Sequence, residues 1–382
     1  MPLALYALAA ATFAIGTTEF VIVGLIPEIA DNLAVSLPAA GLLVSWYALA
    51  ITLGTPIFSA LTGKFPRRPL ILGLMTLFTA CNLAAALAPN YWSLLAARIV
   101  MAVSHGVFFG IGAAVATTLV PKEKSGSAVA MMMGGLTIAM VVGVPLGSWI
   151  GQNAGWRTPF LLVTVLGTLA LVALLLFLPR SIPHSASPGF AAQMRLLANR
   201  QLVVMYLLTA VAFGGTFVIF TFLAPILMGL TKVGYGTVNI ALMLFGGATV
   251  VGNYAGGRLS DTTSTKRAIV ITLFGLIACF AAFASAVYNE MAVLTVIAIW
   301  GMFAFAIPPI MQDGVVKVAR IIAPDAVPTA SGMNIAAFNL GISGGSFIGG
   351  QLLAGPGLIA TPYAAIVMAL VALAIAIFGC RV

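Results

Sequence analysis

Apolar residues run through the chain in long stretches, and short polar, proline-rich or glycine-rich clusters separate one stretch from the next. A helix that crosses a bilayer needs about 20 mostly apolar residues. Breaking the chain at the polar clusters predicts twelve such helices, at residues 3–26, 41–62, 69–88, 92–119, 127–150, 158–179, 201–223, 238–258, 267–287, 291–313, 329–352 and 360–379. Most connections are short, so consecutive helices are predicted to be antiparallel neighbours.

The composition supports the same interpretation. Of 382 residues, 62% are hydrophobic and only 7% are charged, which is too few charges to cover a water-facing surface. The apolar runs are too long for the alternating strands of an outer-membrane barrel. The first run lacks a basic leader and a small-residue cleavage site, so it is expected to be the first span. The sequence therefore predicts an all-α membrane protein.

Positive charges mark the orientation of the predicted spans. Fourteen of the 17 Lys and Arg residues fall in loops or the tail on one side: Lys64, Arg67, Arg68, Lys122, Lys124, Arg180, Arg195, Arg200, Arg258, Lys266, Arg267, Lys317, Arg320 and Arg381. The other side receives Arg157 and Lys232, and Arg98 lies inside a span. Because basic loops stay cytoplasmic, both termini are predicted to be cytoplasmic. The net charge of +9 is thus explained by topology, and no nucleic-acid partner is expected.

The longest polar segment, at about 179–201, divides the twelve spans into two sets of six. It predicts an N-terminal six-helix bundle (1–179), a cytoplasmic linker (180–200) and a C-terminal six-helix bundle (201–382). One constant shift of 198 residues aligns the two sets without gaps, and "GVPLGSWIG" (143–151) then meets "GISGGSFIG" (341–349). Such repeats predict two pseudo-symmetric bundles with a central cavity, as in secondary transporters.

Several motifs carry a family resemblance. They read "GTTEF" (16–20), "IPEIA" (26–30), "PAAG" (38–41) and "HGVFFG" (105–110). Together they resemble the major facilitator superfamily and, within it, the twelve-span drug:H⁺ antiporter group, with its sugar-efflux, purine-efflux and chloramphenicol-export branches. The resemblance covers the whole chain. It implies a monomer in the bacterial inner membrane that exports a small molecule in exchange for protons.

Three superfamily motifs can be carried over residue by residue. The loop motif G-x-L-x-D-R-x-G-R-R resembles "SALTGKFPRR" (59–68), which keeps Arg67 and Arg68 but has Gly63 in place of the acid. The equivalent loop "GRLSDTTSTKR" (257–267) keeps Gly257 and Asp261, so the gate clamp is expected there. The antiporter motif of the fifth span resembles "GVPLG", whose motif positions are Gly143, Pro145 and Gly147. These glycines are expected near the interface of the halves, although close helix packing alone also explains such residues.

Glu19 and Arg98 are the acid and the base well inside predicted spans. Helical rise places them roughly 12 Å and 10 Å below the same membrane surface, so an ion pair between them is geometrically possible. His105, two turns after Arg98, is expected on the same face of its helix. Two interpretations are open: a structural ion pair with a packed histidine, or a proton-coupling site in which Glu19 carries the proton and Arg98 controls its release.

Other polar and aromatic residues inside spans are candidates for the cavity wall. They are Tyr47, Asn82, Phe217, Trp300, Asn334 and Asn339. The asparagines are favoured because an unpaired amide facing lipid is costly, whereas each aromatic residue equally suits packing. Three cysteines without CxxC spacing and two distant histidines predict no metal site and no cofactor.

Two function classes compete with proton-coupled export. A membrane enzyme is disfavoured because the sequence contains no HExxH, GxSxG or paired intramembrane carboxylates. ATP-driven transport is excluded by the lack of a phosphate-binding GxxxxGK[ST] motif. A uniporter, importer or transceptor on the same fold, without proton exchange, stays open. The candidate cargos are apolar drugs such as phenicols, and sugars or nucleosides.

Overall fold

The computed structural model describes residues 1–62, 65–182 and 190–379. Within these ranges the chain forms twelve long helices and a short helix between the sixth and the seventh. The long helices are α1 (Leu3–Asn32), α2 (Leu37–Leu61), α3 (Arg67–Ala86), α4 (Tyr91–Thr118), α5 (Lys122–Ala154), α6 (Thr158–Phe177), α7 (Arg200–Phe220), α8 (Tyr235–Thr262), α9 (Thr265–Ala286), α10 (Glu290–Ile322), α11 (Val327–Ala354) and α12 (Ala360–Gly379). The predicted all-α class and the twelve helices are confirmed.

Eleven of these helices in the described part are long and apolar enough to cross a membrane. The helix α11 has 28 residues, which is long enough, but it is not among the eleven. Its sequence explains this, since "FNLGISGGSFIGG" (338–350) replaces large apolar side chains by Gly, Ser and Asn. Packing compensates for that composition, because α11 lies against α2 on one side and α7 on the other.

In three spans the helical winding changes next to a proline. Pro27 follows a 3₁₀ turn at Ile22–Leu25 in α1, and Pro145 follows a π-helical turn at Ala139–Gly143 in α5. Beyond Phe220, α7 continues through Leu223–Ile226, which contains a proline, into a π-helical turn. Proline lacks the N–H that the hydrogen-bond ladder of a helix requires, so the backbone changes its winding next to it.

The helices pack as two sets joined along two seams. Within the first set α1 packs on α5 and α6, and α4 packs on α2 and α3; within the second, α7 packs on α11 and α12, and α8 on α10. Between the sets, α2 packs on α11 and α5 packs on α8. The domain limits at 179 and 201 stay a prediction. Residues 183–189 of the predicted linker, with His184, lie outside the described residues, and the linker helix Phe190–Leu197 follows them.

The two ends of the bundle can be told apart by their contacts. At the end named here the terminal face, Met1 lies beside Pro121, and Lys266 donates to the Ile377 carbonyl at 2.7 Å. At the opposite end, the distal face, Trp156 Nε1 donates to Asn32 Oδ1 at 2.9 Å. Both ends of the described chain therefore lie on the terminal face.

Glycines form two matching seams at positions related by the 198-residue shift. A Cβ on two glycines of α5 would collide with α1, and a Cβ on two glycines of α11 would collide with α7; the pairs are Gly143 with Thr17, Gly147 with Val21, Gly341 with Ala210 and Gly345 with Gly214. The seams are equivalent, but each lies within one helix set. Gly143 and Gly147 belong to the part of α5 that packs on α8 of the other set, as expected, but the small side of each glycine faces α1. The close approach between the sets is made by Gly246 of α8 on the Met140 carbonyl.

Alanine at Gly345 is expected to destabilise the fold, because its Cβ would press on the backbone carbonyl of Gly214, which cannot rotate away. Overpacking of this kind costs about 1–3 kcal/mol. Gly344→Ala is the matched control, since a Cβ on Gly344 meets nothing within 4 Å. Thermal unfolding of purified protein should show a lower midpoint for Gly345→Ala only. Equal midpoints for the two variants would contradict the glycine-seam assignment.

Candidate functional site

Glu19 lies in the middle of α1 with only 8% of its surface exposed. Its Oε2 is 4.0 Å from Nε2 of His105 in α4. The predicted partner was Arg98, and in this respect the prediction is wrong: the side chain at ion-pair distance from Glu19 is His105. Arg98 is still close enough to act on Glu19 through its charge.

Backbone carbonyls explain why Arg98 does not reach the carboxylate. Its Nε donates to the Leu43 carbonyl at 3.1 Å, and its Nη1 donates to the Thr18 carbonyl at 3.4 Å. The guanidinium carbon lies 4.5 Å from the ring centroid of Tyr47. A fully buried cation needs such compensation. Nη2 has no hydrogen-bond partner in the structure and is free to bind another acceptor.

Tyr47 links the cation to the histidine. Its hydroxyl lies 3.0 Å from Nδ1 of His105, and His105 packs on Phe109 with ring centroids 4.8 Å apart. If Tyr47 donates to Nδ1, the neutral histidine carries its proton on Nε2, which faces Glu19. Glu19, His105, Tyr47 and Arg98 therefore form one continuous cluster drawn from α1, α2 and α4. A proton gained or lost by Glu19 changes the interactions of every member.

Asn82 supports this cluster from α3. It is fully buried; its Oδ1 accepts from the Thr18 hydroxyl at 2.8 Å, and its Nδ2 donates to the Phe78 carbonyl at 2.9 Å. Both ends of the amide bond within the protein, which favours a structural role, and the predicted cargo role stays a prediction. Asn82 fixes α1 next to Glu19. Thr18, whose partner lies on another helix, gave no signal of this role in the sequence.

Asn334 has a similar structural role in the other helix set. Its Oδ1 accepts from Thr209 of α7 at 2.8 Å, and its Nδ2 donates to Gln312 of α10 at 2.7 Å. Gln312 in turn bonds to Ser331. This buried network ties α7, α10 and α11 together. This network favours a structural role for Asn334 too, and its predicted role in the cavity stays a prediction.

Phe217 and Trp300 belong to an aromatic cluster built mainly by α7, α9 and α10. Phe217 lies 6.2 Å from Phe20, the neighbour of Glu19, and Trp300 lies 4.9 Å from Phe245. Its other described members are Phe213, Phe220, Phe280, Phe283, Phe305 and Phe338. The cluster therefore reaches the acidic centre across the contact between α1 and α7.

Four buried side-chain atoms of the second helix set have no hydrogen-bond partner among the described residues. They are Nε1 of Trp300, Oδ1 of Asn339, Oγ1 of Thr216 and Oδ1 of Asn239, of which Trp300 and Asn339 belong to the predicted cavity residues. Nδ2 of Asn339 donates to the Ile335 carbonyl at 3.1 Å. A buried donor and a buried acceptor without partners are costly, so they mark places where a ligand can gain hydrogen bonds. The structure thus leaves Asn339 and Trp300 as the polar candidates of the second helix set.

The motif residues at the terminal face differ in exposure. Arg68 donates to the carbonyls of Leu178 and Leu175, which fixes the start of α3 against the end of α6, and Arg67 is buried beside it. Gly63 and Lys64 of that loop lie outside the described residues. Gly257 and Asp261 lie at the end of α8, and the side of Gly257 opens onto free space.

The interactions that were expected of Asp261 are made instead by Asp313 of α10. It lies 2.6 Å from Nζ of Lys317 and accepts from the Ser260 hydroxyl at 2.6 Å. Asp261 itself is exposed. The ion pair lies within α10, and the hydrogen bond from Ser260 ties its acid, Asp313, to α8. The predicted span 291–313 ended too early to show that Asp313 and Lys317 share one turn of α10.

The distal face is closed by an aromatic side chain in a socket of glycines. The ring of Phe222, at the break in α7, fills the space beside Gly41 of α2 and Gly349 of α11. Residues 14–26 of α1 and 212–227 of α7 are all buried. By contrast, the terminal half of α1 exposes Leu3, Tyr6 and Ala10. The described structure is therefore closed toward the distal face and more open toward the terminal face.

Gly41→Ala is expected to weaken the distal closure, because its Cβ would overlap the ring of Phe222. Gly350→Ala is the matched control, since its Cβ would lie 3.6 Å from the same ring, an ordinary contact. Spin-label distances across the distal face should lengthen for Gly41→Ala and stay unchanged for Gly350→Ala. If both variants keep the short distance, Phe222 does not act as a closure.

Comparisons with known proteins agree with this architecture. The family model of the Major Facilitator Superfamily matches residues 8–320. The uncharacterized MFS-type transporter YtbD of Bacillus subtilis is 41% identical over 94% of this chain and 91% of its own length. The chloramphenicol resistance protein of Streptomyces lividans is 34% identical over 92% of this chain and 90% of that protein.

A solved structure shows the same fold at low identity. It is a bacterial homolog of the human lysosomal transporter Spinster, in an inward-facing and occupied conformation. The two structures superpose with a TM-score of 0.75 over 98% of this chain and 95% of that chain, at 16% identity. At this identity the likeness concerns the fold.

Proposed function

The chain belongs to the major facilitator superfamily, and we propose that it is a secondary active transporter that exports a small molecule in exchange for protons. The observation that carries this proposal is the buried carboxyl group of Glu19 next to His105. Ionisable residues at this depth are costly and usually serve transport. The resemblance of the S. lividans relative supports the direction of export.

The proton step follows from the surroundings of Glu19. Burial penalises the ionised carboxylate, whereas the Arg98 charge favours it, so small changes in either decide its protonation. In the distal-closed state the carboxyl group communicates with the terminal face. When the helix sets rock and Phe222 leaves its socket, the same group faces the distal side. If the carboxyl group binds a proton on the distal side and releases it on the terminal side, each cycle of alternating access moves one proton.

The proposed cargo site lies next to the proton site. The aromatic cluster, with an unpartnered donor on Trp300 and an unpartnered acceptor on Asn339, suits a neutral or weakly cationic molecule with an apolar ring and a few polar groups. This favours an aromatic drug of the phenicol type over a sugar or nucleoside. Cargo near Arg98 and Glu19 would change their mutual interaction and so couple its binding to proton release.

Charge distribution supports the location. The terminal face carries the basic loops, so it is assigned to the cytoplasm of a bacterium, with both termini inside and the protein spanning the inner membrane. As the family resemblance implies, the proposed transporter acts as a monomer. Its partners are the cargo, protons and the lipid bilayer.

Glu19→Gln keeps the size and hydrogen bonding of the side chain but fixes it as neutral. It should retain cargo binding and lose efflux driven by a pH gradient, because no proton can be exchanged. Proton release on adding chloramphenicol to purified protein measures this directly. Glu290→Gln is the matched control, since Glu290 is exposed on the distal face and bonds only to Thr237.

Two outcomes would count against proton exchange at Glu19. Equal proton release by wild type and Glu19→Gln would place the carrier elsewhere. Cargo flux in vesicles that does not respond to a pH gradient would favour the alternative of a uniporter, importer or transceptor on the same fold.

Tyr47→Phe tests the link between His105 and Arg98. The variant keeps the ring beside the guanidinium but removes the hydroxyl that lies 3.0 Å from Nδ1 of His105. Loss of one buried hydrogen bond costs about 1 kcal/mol. The pH dependence of vesicle efflux should shift while cargo affinity changes little. An unchanged pH profile would show that Tyr47 is only a packing residue.

A further inference from the structure

The linker helix, Phe190–Leu197, touches both helix sets at the terminal face. It packs on α2 from the first set and on α7 and α11 from the second. Nε2 of Gln193 donates to the Pro56 carbonyl of α2 at 3.2 Å, and Leu196 is also buried. The side of the helix that carries these two residues is therefore covered by protein.

Another side of the linker helix exposes large apolar side chains. Phe190 is 56% exposed, Met194 43% and Leu197 45%. Their spacing of four and three residues places them on one stripe of the helix. Nothing in the described chain covers this stripe. Exposed apolar stripes on short helices mark contact with a partner or a membrane.

Exposed apolar side chains also follow the neighbouring part of α2. Leu53, Ile57 and Leu61 of α2 are 58%, 49% and 65% exposed and follow each other at four-residue intervals. Because α2 is long and apolar enough to cross a membrane, this exposed side is expected to face lipid. Pro56, whose carbonyl accepts from the linker helix, lies in the same segment, so the linker helix lies beside this side of α2.

The positive charge of the linker helix lies on a different side from its apolar stripe. Arg195 is exposed and lies about 100° around the helix from Met194. Arg200, at the start of α7, is also exposed. Apolar side chains on one side and arginines turned away from them are the arrangement of a helix that lies in the plane of a membrane surface.

We propose that the linker helix is an interfacial anchor that inserts Phe190, Met194 and Leu197 into the leaflet at the terminal face and binds its anionic phospholipids through Arg195 and Arg200. The occupant is the bilayer surface, because the linker helix lies beside the side of α2 that is expected to face lipid and the arginines complement anionic headgroups. Since the helix contacts both sets, its attachment to lipid affects how readily the terminal face opens. The anchor does not depend on proton exchange.

Spin labels on the full chain test the position of the helix. In a background with Cys81, Cys279 and Cys380 replaced by serine, Met194→Cys and Arg195→Cys are labelled separately and reconstituted in phosphatidylcholine–phosphatidylglycerol vesicles. The label at 194 should collide several-fold more with lipid-soluble oxygen than with a water-soluble nickel chelate, and the label at 195 should show the opposite preference. A label at 194 that is as accessible to nickel as that at 195 overturns the proposal and would indicate a soluble partner instead.

A charge variant tests the lipid class. Arg195→Gln should reduce the difference in oxygen accessibility at 194 between vesicles with and without phosphatidylglycerol, while Arg157→Gln on the distal face should leave it unchanged. Thermal midpoints of all variants confirm folding. If phosphatidylglycerol does not change the oxygen accessibility of the label at 194 in the protein that keeps Arg195, the proposal is also overturned.

Discussion

A buried carboxyl group is costly in an interior that solvates charge poorly, and three helices combine to hold Glu19 there. His105 faces the carboxylate, Tyr47 holds His105, and Arg98 contributes its charge while backbone carbonyls hold its guanidinium. Asn82 fixes Thr18, so the backbone beside Glu19 cannot drift. The packing of α1 against α2, α3 and α4 therefore follows from the need to compensate one acid.

Close backbone contacts within each helix set allow the two sets to move relative to each other while the surroundings of Glu19 stay intact. The matched glycine seams hold α5 on α1 and α11 on α7, so each set can move as a body. Where the sets meet, Gly246 lies directly on a backbone carbonyl and Phe222 fills a glycine socket. These contacts are small, and the hydrogen bonds between the sets in the described chain include those from Thr52 to the Ala336 carbonyl and from Asn239 to Gln152. The electrostatic centre and the gate thus rest on different kinds of interaction.

Much of the fold could be predicted from the sequence, because spans depend on local apolarity and the 198-residue shift is readable in residues such as Gly143 and Gly341. The importance of Glu19 was also readable, since a charge inside a span is rare. Its partner was not: depth alone cannot say whether Arg98 or His105 turns toward it. Likewise, Asn82 and Asn334 look available until their partners on other helices are seen. Phe222 gave no signal, because its socket comes from glycines distant in the chain.

The composition of α11 has a consequence for biogenesis. A helix rich in Gly, Ser and Asn partitions weakly into lipid by itself, so the translocon would release it into the membrane less readily than its neighbours. The contacts that receive it are on α2 and α7, which precede it in the chain. Both are therefore already inserted when the ribosome synthesises α11. Order of synthesis thereby supplies a protein surface for a segment that lipid alone would accommodate poorly.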